Sequence, residues 1–182
     1  MISLRKINSL LVIIIFLMIL NHAVLSILFM YGFISYSPDF QITGRRLFYP
    51  IVAHIIISLY LYFSDRKKQS KTYPKLISET TQQVITGIFI IVFVSLHILN
   101  YMLNPINSSY DFWVILSHYL VDNLLFISIA LHLRVSIPRL MLSFGFLEAK
   151  NAYQNFKRKT NIVILIILIV FMLAEFMFYV GA

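Results

Sequence analysis

Apolar residues gather in five long runs that are separated by short polar segments. The runs cover residues 7–30, 47–63, 84–103, 113–133 and 162–180. Each is close to the roughly 20 residues that an α-helix needs to cross the hydrocarbon core of a bilayer. In lipid, only α-helices and closed β-barrels form hydrogen bonds with all of their backbone groups. Barrel strands alternate apolar and polar residues, and these runs do not, so they are predicted to be helices. The pattern predicts an all-α integral membrane protein with five transmembrane helices in a single domain, residues 1–182.

The composition agrees with this prediction, since 60% of the residues are hydrophobic and only 12% are charged. The net charge is +8, and most basic residues lie in the polar segments 5–6, 66–75 and 134–159. Basic residues that flank membrane helices stay on the cytoplasmic side. We therefore expect the N-terminus inside and the C-terminus outside. Membrane flanks explain the positive charge without nucleic-acid binding.

The sequence lacks cysteine and several catalytic motifs, and this excludes several kinds of site. The chain has no cysteine, which excludes disulfides, thiolate metal sites, iron–sulfur ligation within this chain and the covalent attachment of a c-type haem. It also has no glycine-rich nucleotide fingerprint, P-loop, HExxH motif or nucleophile elbow. A haem in this protein would therefore be held noncovalently by histidine.

Each of the first four apolar runs contains one deep histidine: His22, His54, His97 and His132. A titratable side chain at such a depth is costly and indicates function. Counted from the cytoplasmic ends of their helices, His22 and His97 both lie about 22 Å deep. His54 and His132 lie about 15 and 11 Å deep on the same basis. The histidines therefore form two pairs at two levels.

Two pairs of histidines on alternating helices of a four-helix bundle suit two stacked b haems, each with two axial imidazoles. Such haems have no open coordination position, so the expected chemistry is electron transfer. A proton relay and a metal transporter are the alternatives. Relays usually recruit several buried acids, and zinc ligands would converge at one depth.

Haem propionates require cations or hydrogen-bond donors. Arg45 and Arg46 lie in the first outer segment, against the general charge bias, and could serve the outer haem. Arg139 follows His132 by two helical turns and could serve the inner haem, with Asn8 and Ser9 as further donors. Snorkelling towards lipid headgroups is the competing explanation for the arginines.

Other polar side chains are candidates for quinone or proton chemistry. His118 and Asp122 are spaced i, i+4 and could pair near the outer end of the fourth helix, either to release quinol protons or as a satisfied interfacial contact, which is the favoured interpretation. Asp39 is the acid of the first outer segment and could accept a quinol proton, although a solvated loop aspartate is the favoured interpretation. Glu175 is an intramembrane acid whose spacing suggests no partner.

The segment ALHLRVSIPRLMLSFGFLEAKNAYQNFKRK, residues 130–159, resembles the fourth-helix region of the dihaem cytochrome b subunit of succinate dehydrogenases and fumarate reductases. The similar features are a histidine, small residues, an arginine, a small or aromatic stretch with glycine and a charged amphipathic tail. Here they are His132, Ser136, Arg139, residues 143–145 and residues 148–159. The order of one histidine per helix and a fifth helix without a ligand extends the resemblance over nearly the whole chain.

The resemblance implies that His22 and His97 hold an outer (distal) haem and that His54 and His132 hold an inner (proximal) one. It also implies a flavoprotein subunit and an iron–sulfur subunit on the cytoplasmic face, with menaquinone as the membrane substrate. The subunit would pass electrons between the quinone pool and these partners, without dicarboxylate chemistry of its own.

Two other functions remain open from the residues. One is the cytochrome b subunit of a hydrogenase or formate dehydrogenase, whose partner docks on the outer face. The other is a haem-free transporter or assembly protein. The chain also departs from the family: Ala130 stands where menaquinol-oxidising relatives have a glutamate, Ser143 replaces a lysine, and Pro138 interrupts the segment. The departures bear on proton transfer and on the direction of catalysis.

Overall fold

The computed structural model describes residues 4–37, 39–68, 74–105, 111–147 and 150–180, and these residues form helices and no strand. The helices are α1 (Leu4–Met30), α2 (Asp39–Arg46), α3 (Phe48–Lys68), α4 (Pro74–Leu103), α5 (Phe112–Ser143) and α6 (Lys150–Tyr179). Within the described part of the chain, five helical spans are long and apolar enough to cross a membrane. The prediction of an all-α, five-span membrane protein is confirmed at this level.

Several helices extend beyond their apolar runs. α4 begins ten residues before the predicted 84, and α6 begins twelve residues before the predicted 162. α5 continues through the buried Pro138 to Ser143, so the proline does not end the helix. Hydropathy marks the part of a helix that suits lipid, whereas backbone hydrogen bonding continues through polar turns.

α2 is a short helix where the sequence predicted only a segment between two spans. Its first residue is Asp39, and its last two are Arg45 and Arg46. An acid at the N-terminus and cations at the C-terminus oppose the partial charges of the helix ends. Three exposed charged residues therefore stabilise a helix that hydropathy did not indicate.

Glycines end α1 and α5 in the same way. Gly32 and Gly145 both have positive φ, which L side chains adopt only with strain. At α1, the Phe33 amide donates to the Leu28 carbonyl, and at α5 the Phe146 amide donates to the Met141 carbonyl. These bonds are Schellman caps, which satisfy carbonyls that the helix end leaves open.

The chain forms two packing units. Unit 1 spans Met1–Pro74, where α1 packs on α2 and α3, and unit 2 spans Lys75–Ala182, where α5 packs closely on α6. In unit 2, the rings of Phe126 and Phe171 stack with centroids 3.6 Å apart. The single domain predicted for residues 1–182 stays a prediction.

The interior of unit 2 is more polar than its surface. Its buried residues include His118, Asp122, Asn123 and Glu175, whereas most of its large apolar side chains are exposed. This distribution is reversed relative to a water-soluble domain and suits helices that face lipid. The polar side chains inside unit 2 therefore need partners within the protein.

Candidate functional site

His22 is half-buried on α1 and is held by α2. Its Nδ1 lies 3.1 Å from Thr43 Oγ1, and the Thr43 hydroxyl donates to the Phe40 carbonyl at 2.7 Å. Since that hydroxyl proton is already used, the Thr43 oxygen accepts from the imidazole N–H. Gly44 adjoins the ring, and a Cβ there would lie 3.3 Å from His22 Cε1. The glycine lets α2 approach the imidazole closely.

His54 is half-buried on α3 and faces α1. Its Nδ1 lies 3.0 Å from Asn8 Oδ1 and 3.3 Å from Ser58 Oγ. Asn8, which the sequence suggested as a propionate donor, contacts His54 through its side-chain oxygen, and its role towards a propionate stays a prediction. The neighbouring candidate Ser9 is half-buried on α1.

His132 has the same arrangement as His22 in the other unit. Its Nδ1 lies 3.0 Å from Thr86 Oγ1 of α4, and the Thr86 hydroxyl donates to the Gln82 carbonyl at 2.7 Å. The threonine oxygen thus accepts from the imidazole. Gly87 again adjoins the ring, where a Cβ would lie 3.8 Å from Cε1.

His97 differs from the other three because its partner is a carboxylate. Its Nδ1 lies 2.6 Å from Asp122 Oδ1, and the Asp122 side chain is only 5% exposed. Tyr101 donates to the second oxygen, Oδ2, at 2.8 Å. Hydrogen bonds to an ionised acceptor are shorter and stronger than neutral ones.

All four intramembrane histidines therefore direct Nδ1 at an oxygen acceptor. A neutral imidazole that donates from Nδ1 has its lone pair on Nε2, which is the form that binds a metal through Nε2. An outer hydrogen bond of this kind fixes the tautomer and ring orientation of metal-binding histidines. Within the described ranges, no three His, Asp or Glu side chains converge on a position for a bare metal ion.

The histidines of each unit lie at two levels. In unit 1, His22 is fourteen residues beyond Asn8, the partner of His54, which corresponds to about 21 Å along α1. In unit 2, Asp122, the partner of His97, is ten residues before His132, or about 15 Å along α5. Each predicted ligand pair joins one histidine of unit 1 to one of unit 2, and the pairing stays a prediction.

The predicted arginines have different environments. Arg139 donates to Thr80 Oγ1 at 3.0 Å and to Gln83 Oε1 at 2.5 Å, both on α4. Arg45 donates to Gln41 Oε1 at 3.3 Å on the exposed side of α2, and Arg46 is exposed beside it. Arg139 is thus part of the α4–α5 interface, whereas the α2 arginines lie at the surface.

The i, i+4 pair between His118 and Asp122 does not form, and this expectation is wrong. Asp122 accepts from His97 and Tyr101, while His118 Nε2 donates to the Asn104 carbonyl at 2.8 Å. Spacing places both side chains on one face of α5, but α4 supplies nearer partners. Asp39, the other acid considered, is exposed at the start of α2.

Sequence reasoning missed the residues that hold the imidazoles: Thr43, Thr86 and the Asp122–Tyr101 pair. Thr86 had a signal, because a hydroxyl within an apolar run is a polar group that needs a partner. Thr43 had none, since α2 was not predicted. Asp122 was noticed but assigned to the wrong histidine.

Comparison with protein families, with curated proteins and with solved structures finds no match to this chain. The observations define the class of protein: an all-helical, multi-pass membrane protein with four oriented intramembrane histidines.

Proposed function

We propose that this protein is a cytochrome b-type membrane subunit that binds two b haems and transfers electrons between the quinone pool and a cytoplasmic redox partner. The proposal is supported most by the shared hydrogen bonding of His22, His54, His97 and His132. Each places Nδ1 within 3.1 Å of an oxygen that can accept its proton, and a neutral imidazole held in this way has the tautomer that a haem ligand requires.

The number of intramembrane histidines, four, supports the proposal. Two haems with two axial imidazoles each require four histidines, and the two levels within each unit suit two haems at different depths. His22, His54, His97 and His132 would hold the two haems, and the haems would supply one-electron transfer.

The protein residues would set the properties of the four ligands. Thr43, Asn8 and Thr86 are neutral acceptors that hold their imidazoles in place. Asp122 is an acid, and a carboxylate draws the Nδ1 proton and makes His97 a stronger electron donor. His97 would therefore favour oxidised haem iron more than the other three histidines do.

The identity of the partner is the part of the proposal that comes from the resemblance of residues 130–159. A succinate dehydrogenase or fumarate reductase flavoprotein and its iron–sulfur subunit would dock on the cytoplasmic face of the bacterial inner membrane. Menaquinone would be the membrane substrate, with Asp39, His118 and Asp122 as candidates for its site. Polypeptides that copurify with the tagged chain test this assignment, and their absence would argue against it.

Optical spectroscopy of the purified protein tests haem binding. We expect a b-type spectrum with two haems per chain and the loss of about one haem in His97→Ala, because an axial ligand is removed. His118→Ala is the matched control, since His118 is a histidine of the same unit that donates to a carbonyl through Nε2. A wild-type protein without haem, or a His97→Ala variant that retains both haems, would contradict the proposal.

A further inference from the structure

Three helices of unit 2 each contribute two polar side chains, spaced i, i+4, to the same end of the unit. The pairs are His97 and Tyr101 on α4, His118 and Asp122 on α5, and Glu175 and Tyr179 on α6. Spacing of four residues places both members of a pair on one helix face. The six side chains, which we call the polar end cluster, are a large polar group for helices that face lipid.

The polar end cluster has two layers. In the layer nearer the helix ends, the rings of Tyr101 and His118 lie 4.5 Å apart, and Tyr101 Oη lies 3.0 Å from Tyr179 Oη. In the deeper layer, Asp122 contacts His97. Glu175 precedes Tyr179 by about one turn and belongs to this deeper layer. Its carboxyl group is thus one turn further from the helix ends than the Tyr179 phenol.

Glu175 lacks every usual compensation for a buried charge. It is 0% exposed, and neither of its carboxyl oxygens has a hydrogen-bond partner among the described residues. The ionisable groups that interact with it are Asp122 on α5, Tyr101 on α4 and Tyr179 on its own helix, none of them a cation. An unpaired carboxylate here would be highly unfavourable. The neutral acid is the form that this environment tolerates.

Other polar atoms in this part of unit 2 also lack partners. They are His118 Nδ1, Asn100 Nδ2 and Asn123 Oδ1, all buried and, within the described residues, without a hydrogen bond. Buried polar atoms of this kind are the usual partners of internal water. The unsatisfied atoms come from α4, α5 and α6 together, so they are a shared feature of this end of unit 2 and not a single misplaced side chain.

We propose that Glu175 is a proton-binding site that exchanges its proton with water at the Tyr179 end of unit 2. The reaction is the protonation of a carboxylate oxygen by a proton from water, with no change of oxidation state. Tyr179, one turn nearer the helix end, is a partly exposed residue, and its ring stacks on the ring of His118, whose Nδ1 has no hydrogen-bond partner among the described residues. These polar groups lie between Glu175 and the end of the unit, where water would exchange the proton. This site does not depend on haem and could serve proton release beside His97.

Infrared spectroscopy of the purified protein tests the proposal. We expect the carbonyl stretch of a protonated carboxylic acid at neutral pH, its shift after transfer to D2O, and its loss in Glu175→Gln. Asp39→Asn, which changes an exposed acid, is the matched control and should retain the band. A band that survives Glu175→Gln, or no band at neutral pH, would overturn the proposal.

A second measurement uses only wild-type protein, so its result does not depend on whether the Glu175→Gln variant folds. In wild-type protein, ¹³C-labelled glutamate should shift the acid band, whereas ¹³C-labelled aspartate should leave it unchanged. A shift with aspartate alone would assign the proton to another acid and reject Glu175. A glutamate band that does not respond to D2O would show a sealed acid and reject exchange with water. Both outcomes are independent of whether the protein binds haem.

Discussion

Unit 2 buries two glutamates in opposite ways. Glu79, near the start of α4, is 6% exposed and accepts from Lys157 Nζ at 2.7 Å and from Tyr153 Oη at 3.0 Å, both on α6. Glu175, near the other end of α6, is 0% exposed and has no hydrogen-bond partner among the described residues. Glu79 is therefore a charged side chain with partners, whereas Glu175 is a buried acid without a hydrogen-bond partner among the described residues.

The difference shows what each glutamate can do. Lys157 is partly exposed, so it pairs with Glu79 without losing all of its own hydration. The Glu79 carboxylate then ties α4 to α6 as a structural link. No lysine or arginine belongs to the polar end cluster, and neither Glu175 oxygen has a hydrogen-bond partner among the described residues, so Glu175 is suited to hold and release a proton and not to join helices.

Lys157→Met should give the largest change in stability, because it removes the cation and leaves the buried Glu79 carboxylate. Breaking a fully buried pair costs about 3–5 kcal/mol. We expect about 2 kcal/mol here, since the Lys157 side chain is 25% exposed and Tyr153 still donates to Glu79. Unfolding in detergent measures this free energy. Lys159→Met is the control at an exposed lysine, and equal stability of the two variants would contradict the structural role of the pair.

Hydropathy was sufficient to predict the five spans and to identify the four deep histidines. A membrane helix must be long, apolar and hydrogen-bonded within itself, so its position can be read from one segment alone. The helix ends were less predictable. α6 begins at Lys150 because a helix continues through polar turns that hydropathy cannot distinguish from a loop.

The partners of the histidines could not be predicted in the same way. Spacing showed that His118 and Asp122 share a face of α5, but not that α4 presents His97 and Tyr101 to that face. Contacts between helices depend on which faces pack together, and a single sequence contains no direct record of that choice. Thr86, one helix away from His132, was missed for the same reason.

Tyr101→Phe should have the next largest effect and tests the cluster around Glu175. It removes the hydroxyl that donates to Asp122 Oδ2 and contacts the Tyr179 hydroxyl. Hydrogen bonds to charged groups contribute about 1.5–3 kcal/mol, and we expect a loss near the lower limit because His97 still compensates Asp122. The free energy of unfolding should fall by less in Tyr119→Phe, whose hydroxyl makes no hydrogen bond to a described residue. Equal losses of unfolding free energy in Tyr101→Phe and Tyr119→Phe would show that the Tyr101 hydroxyl does not stabilise the polar end cluster.

The smallest changes in the free energy of unfolding are expected for Glu175→Gln and Glu79→Gln, which make the same substitution at the two glutamates. A glutamine is neutral, as we propose for Glu175, so Glu175→Gln exchanges one uncharged side chain for another of similar size and should change the free energy of unfolding at neutral pH by less than Glu79→Gln does. Glu79→Gln replaces the ion pair with Lys157 by a hydrogen bond from the ammonium to a neutral amide oxygen and should cost about 1 kcal/mol. Parallel unfolding of the two variants measures the difference. If Glu175→Gln lowers the free energy of unfolding more than Glu79→Gln does, then Glu175 is charged and has a partner. In that case the two glutamates do not differ in the way that we propose.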